Sequence, residues 1–93
     1  MLARVAVWEP LPTDDRDWAV EAAMSVPGAR AGYHLLDPKT GNGLSIFFFE
    51  DEQAVAAADV AVEKRAHKIG WHDEQRPGPA SVTVYQVLRA TEA

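Results

Sequence analysis

The chain has 93 residues, a net charge of −5 and no cysteine. That length suits one domain over 1–93 with a thin core, because chains of this size bury only roughly 60–65% of their unfolded surface. The nine basic residues are scattered, which argues against nucleic acid or anionic lipid as a partner, and the lack of cysteine excludes disulfides and thiolate metal sites.

Residues 3–9, ARVAVWE, alternate as a strand, with Val5 and Val7 on one face and Ala6 and Trp8 on the other. Pro10 and Pro12 end it. Thr13 or Asp14 suits an N-cap, and a first helix is expected from about Asp14 to Ser25, with Trp18, Ala22 and Val26 at helical spacing. Pro27-Gly28 stops it. A second strand covers 29–36, ARAGYHLL. The turn formers of 37–43, DPKTGNG, make a hairpin loop to a third strand, 44–49, LSIFFF. Asp51 is a good N-cap for a second helix, Glu52 to Lys68, with Gly70 as its left-handed stop. Val55, Ala58, Val62, Ala66 and Ile69 form its apolar stripe. The loop over 70–80 is long for so small a domain, and a fourth strand is expected over 81–89, SVTVYQVLR.

The order is β-α-β-β-α-β, the ferredoxin-like α+β pattern, with a four-stranded antiparallel sheet and both helices on one face. That leaves the other face uncovered. On the third strand Leu44, Ile46 and Phe48 point one way and Ser45, Phe47 and Phe49 the other. On the fourth, Val82, Val84 and Leu88 oppose Tyr85 and Val87. Both faces are apolar, so one set of Phe47, Phe48 and Phe49 belongs to the core and the other to an interface, although the pattern alone does not say which. A homodimer packing sheet on sheet is the simplest cover. The alternative is that the helices and the long loop wrap both sides.

The phrase 27–55, PGARAGYHLLDPKTGNGLSIFFFEDEQAV, resembles the antibiotic biosynthesis monooxygenase-like family of the dimeric α/β-barrel superfamily. The matching features are Pro27-Gly28, Gly32, Leu35-Leu36, Asp37-Pro38, Gly41 and the Phe-Glu-Asp-Glu run of 49–52. The family's usual aromatic before that acidic run is tryptophan, where this chain has Phe49. The resemblance implies a homodimeric barrel with a pocket between sheet and helices in each subunit. Characterised relatives include cofactor-independent oxygenases of polycyclic aromatics, haem-degrading enzymes and quinol- or aldehyde-handling proteins.

Cofactor-free oxygenation needs an apolar pocket, a base or hydrogen-bond donor for a phenolic substrate, and shielding from water. His34 and Tyr33 are the candidates for the first polar role, with Trp8, Trp18, Trp71 and His72 lining the pocket. The plainer alternative is a dimeric binding or accessory protein in which these aromatics only pack. A third reading is haem binding through His67, which falls near where haem-degrading relatives place their iron ligand. Against it, the first strand has no asparagine and the second helix no aromatic, and His67 lies roughly 120° off the apolar stripe. His67 and His72 straddle Gly70 and share no helical face, so no metal site is expected. The expected protein is therefore cytoplasmic: no apolar run nears the roughly 20 residues that span a bilayer, and the N-terminal residues lack a signal core.

Overall fold

The computed structural model describes residues 1–12, 16–71 and 78–93. Its elements are β1 (Leu2–Trp8), α1 (Asp17–Met24), β2 (Ala29–Leu36), β3 (Gly43–Phe49), α2 (Glu52–Ile69) and β4 (Ser81–Gln86). This is the β-α-β-β-α-β order that the sequence predicts. The sheet runs β2-β3-β1-β4, with every neighbouring pair antiparallel. The fold is ferredoxin-like α+β. Among the described residues no helix is long and apolar enough to cross a membrane.

Register decides which side of the sheet each residue serves, because opposed residues of an antiparallel pair share a face. Ala6 opposes Ser45 and Val82, and Arg4 opposes Phe47 and Val84. On the other side of β3, Gly32 opposes Phe47 and His34 opposes Ser45. These residues make the helix-bearing face. Phe49 is 1% exposed, Ser45 4% and Phe47 8%. Phe48 looks the other way, beside Ala3, Ala31 and Tyr85, so the three phenylalanines divide as two core residues and one on the open face.

The core is small because the residues that meet across it are small. Ala23 of α1, Ala54 and Ala58 of α2, Phe47 and Phe49 form one buried cluster, with Val20, Val55 and Val62 packed against it. Alanines let both helices come close to the sheet, and Phe49 alone among the large side chains is almost wholly buried. Burying a phenylalanine contributes about 1.5–3 kcal/mol, so this ring is a large share of a thin core.

Gly28 and Gly32 are among the glycines fixed by close approach. Gly28 sits at φ 90, and a Cβ there would stand 2.8 Å from the Ala54 methyl. It turns the chain from α1 into β2 directly under α2. Gly32 has ordinary dihedrals, yet a Cβ would lie 2.6 Å from two ring carbons of Phe47. Its missing side chain is the space into which that ring lies.

The helix ends show how local chemistry sets boundaries. Asp51 caps α2, its Oδ1 accepting from the Ala54 N–H at 2.9 Å. Gly70 closes it in the left-handed region at φ 74. α1 begins at Asp17 rather than near Asp14, and Thr13 and Asp14, the expected caps, lie outside the described residues. Its N-cap position is Arg16, which makes no side-chain cap bond.

Two expectations are corrected. β4 ends at Gln86, short of Arg89, and Leu88 beyond it is 89% exposed, so Leu88 continues no strand face. Ile69 has the right helical angle for the α2 stripe but is 49% exposed, because it stands on the last residue of the helix. The helices rest on β1, β2 and β3 and make no contact with β4, which leaves Val82 and Val84 exposed on the helix-bearing face and Tyr85 on the other.

Candidate functional site

The small residues that let the helices dock also leave a space unfilled. Ala6 and Ser45 occupy the middle of the helix-bearing face, and Ala19, Ala23, Ala58 and Ala66 look back at them. The result is a cavity of about 390 Å³ between sheet and helices. This falls within the roughly 300–1,000 Å³ typical of small-molecule sites.

Its walls are aromatic. The chain has three tryptophans, and all three, Trp8 at the end of β1, Trp18 in α1 and Trp71 after α2, border this one cavity. Trp18 and Trp71 meet at 5.1 Å between ring centroids with a tilt of 58°. The Arg16 guanidinium lies 5.1 Å from the Trp8 ring and 5.0 Å from the Trp71 ring, a cation between two π faces. Arg16 thereby links the end of β1 to the residue that follows α2, a role distinct from capping α1.

A polar network crosses the aromatic wall. Trp8 donates its indole N–H to Ser45 Oγ at 2.9 Å. The same Oγ lies 3.0 Å from His34 Nδ1. The register explains why: Ser45 and His34 are a direct cross-strand pair, and Trp8 stands two residues along from Ala6, the other residue opposite Ser45. The His34 ring is held edge-on to Phe47 at 5.6 Å and 81°. A smaller hollow of about 220 Å³ adjoins and shares Trp8, Arg16, His34 and Ser45. At another part of the wall Arg4 Nε reaches Asp59 Oδ1 at 3.5 Å, with both side chains partly solvated, so this pair adds at most about 1 kcal/mol. Among the described residues the buried indole N–H of Trp18 finds no acceptor.

The residues singled out from sequence separate into groups. His34, Trp8, Trp18 and Trp71 come together at the cavity. Tyr33 does not join them. It alternates onto the open face, where it packs edge-on to Phe48 at 6.2 Å. Its place one residue from His34 is the reason, since neighbours on a strand look in opposite directions. His67 is exposed on α2 and is not among the residues that line the cavity. His72 lies outside the described residues. Among the described residues no three histidines or carboxylates gather as a metal site. Sequence reading passed over Ser45 and Arg16. Ser45 did carry a cue, as the single polar residue within LSIFFF, on the same face as Phe47 and Phe49.

No family model matches the sequence, and no curated protein matches it. Solved structures do match. Rv0793 from Mycobacterium tuberculosis has a TM-score of 0.67 at 19% identity, with 98% of each chain covered. The "Putative antibiotic biosynthesis monooxygenase" from Nitrosomonas europaea has a TM-score of 0.57 at 18% identity, covering 98% of this chain and 94% of its own. This chain shares their fold. At such identities the likeness speaks for architecture, and it agrees with the fold that the Pro27–Glu52 motif implies.

Proposed function

We propose that the chain binds a small aromatic molecule in the cavity between sheet and helices and oxygenates it without a cofactor. One observation carries the reading: three tryptophans and Phe47 enclose about 390 Å³ with a single histidine-centred network on the wall. A packing role alone would fill that space, and here it is open. The fold shared with a protein named for antibiotic biosynthesis monooxygenation supports the same class.

The substrate class that suits such a wall is a phenol with an open para carbon. Phenol plus O₂ gives quinone plus water, so the substrate supplies all the electrons and no external reductant enters. The chain's part is to hold the ring between indoles, exclude water and keep an imidazole at the phenolic oxygen. The active unit is a homodimer joined through the open sheet face. That face carries Val5, Ile46, Phe48, Tyr33 and Tyr85, an apolar surface of the kind that marks an interface.

The test uses the tryptophans themselves. Titration with 1-naphthol should change intrinsic fluorescence saturably, and oxygen uptake with appearance of a quinone absorbance should follow. His34→Ala should retain binding and lose oxygen uptake. Saturable binding with no oxygen uptake in wild type would leave the second reading, a non-catalytic dimeric binding protein. No fluorescence response would remove both. The haem reading through His67 has no observation in its favour.

A further inference from the structure

Ser45 is 4% exposed, and its hydroxyl has one proton to place and two lone pairs. Trp8 can only donate, so its contact at 2.9 Å uses one lone pair of Oγ. The contact at 3.0 Å between Oγ and His34 Nδ1 has two possible directions. If Nδ1–H donated to Ser45, the oxygen would accept twice and its own buried proton would have no partner among the contacts at this site. If Ser45 donates to Nδ1, the indole N–H, the hydroxyl and Nδ1 are all matched, and only Nε2–H is left over. Buried hydroxyl protons left unmatched are costly, so the second arrangement prevails.

We infer that Ser45 is a positioning residue that locks neutral His34 in the Nε2–H form, and that the cavity therefore takes a ligand presenting an acceptor oxygen. Neutral His34 then offers its ligand a donor and no free lone pair. The carboxylates nearby do not reverse this: Asp59 faces Arg4, Glu63 is exposed on α2, and Asp17, which borders the smaller hollow with His34, is an acceptor when ionised and so matches a protonated Nε2. A phenolate, a quinone or an aryl ketone satisfies this donor, and a plain hydrocarbon does not. This rests on the cavity being the ligand site, and it sharpens His34 from a general base to a group that holds a developing oxyanion.

The inference is tested on the free protein by long-range ¹H–¹⁵N correlation of the imidazoles at alkaline pH, where an ordinary imidazole is neutral. His34→Gln identifies the His34 signals among the three histidines. Wild type should show a bare Nδ1 and a protonated Nε2. Ser45→Ala, which removes little more than the hydroxyl, should show a mixture of the two forms, and Ser45→Thr should restore the single form. A protonated Nδ1 in wild type, or an unchanged spectrum in Ser45→Ala, would overturn the inference. Calorimetry then compares 1-indanone with indane, which differ by one carbonyl. Ser45→Ala should weaken 1-indanone about 5- to 10-fold and leave indane unchanged. An equal change for both would also count against it. If neither compound binds, the proposed function fails, and the imidazole spectrum still decides the role of Ser45.

Discussion

The two faces of the sheet share the same four strands and differ in almost everything else. The helix-bearing face places Ser45, His34 and Arg4 among Phe47, Phe49 and Trp8. The open face places Val5 against Ile46, and Phe48 beside Ala3 and Tyr85. Polar groups on the covered face meet one another beside aromatic rings, where hydrogen bonds hold and direct side chains. The open face carries few groups that need partners, which suits contact with a flat, apolar surface. The difference comes from strand alternation alone: one step along β3, from Ser45 to Ile46 or from Phe47 to Phe48, moves a residue from ligand chemistry to assembly.

The contrast can be broken most severely from within the core. Phe47→Asp would put a carboxylate among Phe49, Ala23 and Ala58 and should prevent folding, seen as loss of the cooperative melt. Phe49→Ala should cost about 3–5 kcal/mol in a urea or thermal unfolding experiment, since its ring is 1% exposed. Phe48→Asp should behave differently from its neighbours: the chain folds with native circular dichroism and sediments as a monomer. Dimeric, soluble variants of both Phe47→Asp and Phe48→Asp would refute the division of the faces. A subtler probe is Gly32→Ala. Its methyl would meet the Phe47 ring at 2.6 Å, so a loss of about 1–3 kcal/mol is expected, together with weaker 1-naphthol binding as the ring is driven toward the cavity. Asp51→Ala touches neither face and should cost only about 0.5–2 kcal/mol through the lost α2 cap, with ligand affinity unchanged in the fluorescence titration.

These outcomes depend on features that were unevenly legible in the sequence. The strands β1 to β3, the hairpin between β2 and β3, the Asp51 cap and the Gly70 stop are written in short-range chemistry, and they stand where the residues place them. The end of β4 was not legible. Val87 and Leu88 are as apolar as Val82 and Val84, and pairing decides where a strand stops: Leu2, the first residue of β1, opposes Gln86. The choice between the two faces of β3 was also hidden, because Leu44-Ile46-Phe48 and Ser45-Phe47-Phe49 each carry large apolar side chains. Contacts made far along the chain settled it. Gly32 leaves room for the Phe47 ring, and alanines on both helices meet Phe47 and Phe49. The tryptophans were recognisable as pocket residues by type, but Ser45 became visible only once register set it between Trp8 and His34.

The most direct test of the account is a crystal structure of the protein with 1-naphthol, since it interrogates both faces at once. The account predicts the naphthalene ring between Trp8, Trp18 and Phe47, its oxygen within hydrogen-bond distance of His34 Nε2, and a second copy covering Phe48 and Tyr85. A ring bound instead on the open sheet face, with the cavity closed by its own side chains, would contradict it.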